Sequence, residues 1–356
     1  MEQRFLRFAE RQKRMRHKAM TTSFLNSLEM AERYRAKALD ISARKVLMTR
    51  FSGTEQEGDL SVPPNCDGYG RIRHFRRTRN LAWPSNPLPI DPALNFLNIS
   101  RRDTIEAQVF QNAVCNWRCW YCFVPFNLLD ANPKHSSMIR VADLVDLWVM
   151  QPQAPAMIDL TGGQPEIVPE WVVWTMEELR DRGLEGKVYL WSDDNLSADF
   201  FWTALSDEQR DTIKNFSGYG RVCCFKGFDD ESFSFNTTAA PDEFALQFAR
   251  IKRLIRLGID IYGYATFTCP NVMDIREKMS LFVDRLRSVD ELLPLRVVPL
   301  QIESFTPTAA RLNILRNQSI ENQLVAVHEW IEILERIYPS ELRGRAIHEI
   351  RLSESA

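Results

Sequence analysis

"AVCNWRCWYCF", residues 113–123, places Cys115, Cys119 and Cys122 within eight residues as Cys-x3-Cys-x2-Cys, with Trp117, Trp120 and Tyr121 among them. Thiolates are soft ligands that suit zinc, copper(I) or iron–sulfur clusters. A structural zinc ion takes four protein ligands. No fourth cysteine or histidine is close by: His135 lies thirteen residues past Cys122. Cys119 and Cys122 have the spacing of a redox pair, but that reading leaves Cys115 without a role. A four-iron cluster on three thiolates keeps one iron open, an arrangement that makes sense where the open iron binds a substrate or cofactor.

The flanking sequence gives the trio a setting. Apolar or alternating runs at "IEAQVFQNA" (105–113), "AMIDLTGG" (156–163), "KVYLWSDDN" (187–195), "RVCCFKGF" (221–228), "DIYGYATFT" (260–268) and "LRVVPLQIE" (295–303) read as strands. Amphipathic segments near 139–150, 170–182, 198–214, 242–257, 274–290 and 319–337 read as helices, several opened by a capping residue or a proline such as Pro169 or Pro241. Six alternations predict an α/β chain with a helix-covered parallel sheet, either doubly wound or curled into a partial barrel. Both put functional loops at the carboxyl ends of the strands. There the sequence has the cysteines after strand one, "GGQPE" after strand two, "SDDN" after strand three and "KGFDD" after strand four.

Around this 104–305 core, residues 1–50 read as a basic helical extension, with Phe5, Phe8, Phe24, Leu28 and Ala31 at helical spacing. Residues 51–103, rich in Gly, Pro and Asn, read as an irregular connector, and 306–356 as a C-terminal helical segment. With 45% apolar and 26% charged residues the composition is that of a soluble globular protein. No apolar run reaches membrane-spanning length, and the charged N-terminus lacks a secretory apolar region. A cytoplasmic, reducing location is expected, where clustered cysteines bind metal or act in catalysis. Residues 1–50 hold 13 Lys and Arg against 5 Asp and Glu, and "GRIRHFRRTR" (70–79) is a second basic run.

Three cysteines after the first strand of a six-fold βα repeat resemble the radical S-adenosylmethionine (SAM) superfamily. The resemblance implies a partial (βα)6 TIM-like barrel and a [4Fe–4S] cluster on Cys115, Cys119 and Cys122. It further implies SAM on the open iron, cleaved by an electron from the reduced cluster to methionine and a 5′-deoxyadenosyl radical. "TGGQPE" (161–166) is similar to the family's Gly-Gly-Glu-Pro loop, which implies that Gly162, Gly163 and Gln164 hold the SAM amino group. Gln164 stands where the family carries Glu, and Glu166 is a candidate to compensate. Tyr121 takes the aromatic position that packs near the adenine. "WSDDN" (191–195) resembles the Asp-Thr-Asn segment of radical-generating activating enzymes, which implies Ser192, Asp193 or Asn195 at the ribose. "FKGFDDESF" (225–233) resembles a strand of pyruvate formate-lyase activating enzymes, with Lys226 facing the SAM carboxylate and Cys224 in place of an Asp. These matches make activating-enzyme-like members the nearest in motif detail.

The expectation is therefore a radical SAM enzyme that takes hydrogen from a small molecule, natural product, peptide or protein, served by a ferredoxin- or flavodoxin-like electron donor. No cysteine follows Cys269, so the C-terminal pattern of auxiliary clusters is missing. The basic runs, with Phe75 and Trp83 near the second, offer an RNA-modifying alternative. Gln164 offers another, a non-catalytic iron–sulfur binding protein. Cys66, in the loop "NCDGYGR", is a candidate hydrogen-atom donor, whereas His328 and Glu329 read as positions on an amphipathic helix.

Overall fold

The structure, a computed structural model, describes residues 24–60, 62–77 and 83–353. Phe5, Phe8 and the basic residues before Phe24 lie outside the described residues, as do Thr78 and Arg79 of the second basic run. The framework is a seven-stranded sheet in the order β10-β9-β8-β7-β6-β4-β3. Its parallel strands are β4 (Thr104–Gln111), β6 (Met157–Thr161), β7 (Tyr189–Asp194), β8 (Tyr219–Phe225), β9 (Ile261–Thr266) and β10 (Val297–Leu300). β3 (Gly70–Arg76) pairs antiparallel with the outer edge of β4. The parallel strands stand in chain order, each one step further round. Right-handed sheet twist curls such an array into a half-barrel, and the fold is that partial TIM-like barrel.

The strands β6 and β8 are buried along their whole length, as parallel strands covered on both faces must be. The convex face packs under α3 (Val141–Val149), α4 (Glu170–Asp181), α5 (Asp207–Asn215), α7 (Glu243–Leu257) and α8 (Ile275–Val289). These follow α1 (Ser27–Ala38) and α2 (Ile90–Phe96), and α6 (Asp230–Thr237) lies between α5 and α7. The final long helix, α9 (Ile314–Ile337), lies on α8. The concave face has its own apolar floor of Phe75, Ala107, Met157, Trp191, Val222, Tyr262 and Val298, closed by Leu88, Ile90 and Ala93 from the connector and α2.

Two regions differ from the sequence reading. Residues 51–103 contain β3 and α2, so the connector has regular elements. Residues 39–49 form a hairpin, β1 (Leu39–Asp40) and β2 (Lys45–Thr49), which makes a small antiparallel sheet with β5 (Ser136–Arg140). Both β3 and β2 owe their conformation to partners far along the chain, which local periodicity does not register. No helix among the described residues is long and apolar enough to cross a membrane.

Candidate active site

The loop 112–125 leaves the carboxyl end of β4 and is gripped from three directions. From α1, Tyr34 accepts a hydrogen bond from Arg118 (2.6 Å), Ser27 Oγ accepts one from Trp117 Nε1 (3.1 Å), and the Ser27 carbonyl accepts one from Asn116 (3.2 Å). From α6, Asn236 Oδ1 accepts from Trp120 Nε1 (3.0 Å), while its amide donates to the Lys226 and Thr268 carbonyls. From the segment before α9, Arg311 donates to the carbonyls of Cys122 (2.6 Å) and Val124 (3.0 Å) and lies 3.7 Å from the ring centre of Phe126. Trp117 and Trp120 are both 1% exposed. No short motif marked Tyr34, Asn236 or Arg311 as part of this site, because each acts across a long stretch of chain.

Within that frame Cys115 and Cys119 are buried, Cys122 is partly so, and all three are free thiols. Burial raises the pKa of each. Among the described residues, the trio of His, Cys, Asp or Glu ligand atoms gathered within 4.8 Å of one another is His328, Glu329 and Glu332, and the cysteines are not gathered so tightly. One tetrahedral zinc with Zn–S near 2.3 Å would draw its sulfurs to about 3.8 Å apart. Three soft, more widely set thiols fit an iron–sulfur cluster better than a single ion.

The "TGGQPE" turn presses directly against this loop. Gly162 and Gly163 have φ of +70° and +61°. A Cβ on Gly163 would stand 2.3 Å from the Val114 carbonyl oxygen and 2.5 Å from that of Asn112. The Gln164 N–H donates to the Val114 carbonyl at 2.7 Å. Lys226, just past β8, is 9% exposed, and its ammonium has no hydrogen-bond or ion-pair partner among the described residues. Its charge acts on Cys224, Tyr121, Cys119 and Cys115. An ammonium that spends no hydrogen bond on the protein and stands beside the cysteine loop is available to an anionic ligand. Tyr121 is buried and accepts a hydrogen bond from Thr266 at 3.0 Å.

The remaining residues singled out from the sequence divide between the two faces of the sheet. Asp193 lies on the concave face with Met157 and Trp191, bonded to Thr161. Ser192 points to the opposite, helix-covered face and is 2.7 Å from the Tyr219 hydroxyl. Glu166 is also on that side, where Arg221 pairs with it (2.8 Å) and with Asp194 (2.7 Å), all three side chains being at most 4% exposed. Neither Ser192 nor Glu166 is therefore presented to the concave side: strand alternation turns Ser192 into the helix layer, and Glu166, in the short turn Pro165–Ile167 beyond β6, is held there by Arg221. Gln164 donates to Asp194 (3.1 Å) and accepts from the Asn195 N–H (3.0 Å), and Asn195 reaches Cys115 Sγ at 3.9 Å. Cys66 is 2% exposed in the turn before β3, where burial, then the charge of Asp67, pushes its thiol up to about 12.

Several cations of the basic runs are paired within the chain where described. Arg35 pairs with Glu170, Arg44 with Glu177, Arg77 with Asp91, and His74 with Glu106. Phe75 and Trp83 are buried, so neither offers a stacking face to a nucleobase.

No family model matches the sequence, and no curated protein matches it. Among solved structures, the chain is similar to Streptococcus suis SuiB bound to S-adenosylmethionine (13% identity, TM-score 0.44), covering 68% of this chain and 51% of that one. It is also similar to SuiB bound to its precursor peptide SuiA (13% identity, TM-score 0.38), covering 51% of this chain and 36% of that one. A third is anSMEcpe with bound AdoMet (14% identity, TM-score 0.38), covering 55% of this chain and 52% of that one. The chain thus spans about half or less of the length of these three structures.

Proposed function

We propose that the protein is a radical SAM enzyme. The observation that carries the reading is the placement of three free thiols, two buried and one partly so, on one loop at the carboxyl end of the first of six parallel strands, with the Lys226 ammonium, unpaired among the described residues, and the Gly162–Gly163 turn beside them. Cys115, Cys119 and Cys122 hold a [4Fe–4S] cluster, and SAM is the further ligand. When bound and reduced, that pair supplies a 5′-deoxyadenosyl radical for hydrogen abstraction. The chain's own part is orientation and exclusion of water. Lys226 takes the SAM carboxylate, the Gly162–Gln164 backbone lies along its amino end, and Tyr121 and Asn195 contact the nucleoside. Glu166, Ser192 and Arg221 act from behind the sheet by fixing the loop that carries Gln164 and Asn195. Trp117 and Trp120 shield the cluster. The electron donor is of the ferredoxin or flavodoxin kind, and the location is cytoplasmic.

Anaerobic reconstitution, addition of dithionite and chromatographic assay of 5′-deoxyadenosine test this. The wild type is expected to bind about four irons and to release 5′-deoxyadenosine, and Cys115→Ala, Cys119→Ala and Cys122→Ala to lose both. A protein with a full cluster that leaves SAM intact refutes the proposal.

A further inference from the structure

The concave face carries charged groups that neither the cysteine loop nor the proposed SAM contacts use. Arg71, on β3, is 8% exposed, and its Nε and Nη2 have no hydrogen-bond partner among the described residues. Asp159, on β6, is 1% exposed, and neither of its carboxyl oxygens has one among those residues. The cation paired with it, Arg73, stops 3.8 Å away, beyond hydrogen-bonding reach. Asp193 lies one strand further round on the same face. Strand alternation puts these side chains directly above the apolar floor of Phe75, Ala107, Met157 and Trp191. The cysteine loop closes the layer from the other side, since the Arg71 guanidinium is 5.8 Å from the ring centre of Phe123, the neighbour of Cys122. Lys226, beside the cysteines, acts on Asp193.

A guanidinium buried without hydrogen bonds is expensive, and so is a buried carboxylate, which in Asp159 keeps its proton until a cation arrives beside it. A ligand that satisfied one of these groups alone would leave the other without a partner. A guanidinium fork matches a carboxylate, and a pair of carboxylates matches an ammonium. A residue inside a peptide chain brings neither charge on its backbone, and a peptide amino terminus brings only the ammonium.

Resting on the radical SAM reading, we propose that the substrate is a small zwitterion of the free α-amino acid class, with its carboxylate on Arg71 and its ammonium at Asp159 and Asp193. The test is calorimetric titration of the reconstituted, unreduced wild-type protein, loaded with SAM, with the proteinogenic α-amino acids taken singly. Methyl-ester and N-acetyl forms of each binder follow. At least one free amino acid is expected to bind saturably, and either blocking group to weaken it roughly ten- to a hundred-fold, the loss of one charge-assisted pair. Arg71→Met should erase the penalty for esterification and Arg71→Lys should retain it, while Asp159→Asn should erase the penalty for acetylation. Binding of no free amino acid, or equal binding of doubly blocked forms, overturns the proposal. The two readings fail separately: a wild type that cleaves SAM on reduction but binds no amino acid refutes the zwitterion alone, whereas one that leaves SAM intact refutes the radical chemistry.

Discussion

Gly163 and Gly183 form a matched pair that isolates what the Gly-Gly turn contributes. Both have positive φ, +61° and +64°. An added Cβ at Gly183 meets nothing within 4 Å, whereas at Gly163 it meets two carbonyl oxygens of the cysteine loop at 2.3 and 2.5 Å. Gly183→Ala should therefore cost only the left-handed backbone penalty, about 1 kcal/mol. Gly163→Ala adds the overpacking of a rigid contact, about 1–3 kcal/mol, and strains the Gln164 N–H bond to Val114, about 1 kcal/mol. The sum is about 3–5 kcal/mol, and its relief requires residues 112–114 to move. Urea denaturation of both variants measures the difference, and iron content after reconstitution reports the loop. Gly183→Ala is expected to keep its full iron complement and Gly163→Ala to lose most of it. Equal destabilisation of the two variants, or full iron in Gly163→Ala, would refute the argument that the turn seats the cysteine loop.

Three further outcomes are expected. Burial, then the charge of Asp193, raises the Asp159 pKa to about 8 against the pull of Arg73 and Arg71. Its folded pKa thus exceeds its unfolded value, so its stability contribution is lost as pH rises from about 4 towards 8, by at most about 1.4 kcal/mol per unit. Melting temperatures across that window should show Asp159→Asn gaining on the wild type as pH rises. Asn236→Ala strands the Trp120 and Thr268 donors and the Lys226 and Thr268 carbonyls. At about 1 kcal/mol for each bond it should cost about 3–4 kcal/mol and speed loss of cluster absorbance in air. Arg35→Met leaves the carboxylate of Glu170, 3% exposed, without its partner. It should cost about 3 kcal/mol in urea denaturation, most of it regained in Arg35→Met/Glu170→Met.

The parallel core was legible because each of its strands is a short, largely apolar run followed by an amphipathic helix, a pattern written locally. The cysteine trio was legible for the same reason, three residues of one loop. The grip on that loop was not: Tyr34, Asn236 and Arg311 come from α1, α6 and the segment before α9, and only the curled sheet brings them together. The concave polar layer was half legible. Asp193 stood out beside a strand end, but Arg71 and Arg73 read as part of a basic run, because the connector gave no sign that they belong to a strand paired with β4.

Gln164 shows how structure changes the weight of a departure from a family pattern. Taken alone, glutamine in place of glutamate suggests a weakened ligand contact and gave the non-catalytic reading its support. In the folded chain the position adjoins a buried network in which one cation, Arg221, already serves two carboxylates, Glu166 and Asp194. The Gln164 amide adds a donor to Asp194 at 3.1 Å, and its carbonyl accepts from the Asn195 N–H at 3.0 Å. A glutamate there would have no proton to give Asp194 and would set a third negative charge against a single guanidinium in a site closed to water. The uncompensated buried charge would cost several kcal/mol. The amide is thus what Asp194 and Glu166 require of position 164, and it fixes the turn that bears Asn195 against Cys115. Glutamine at this position follows from the local balance of charges.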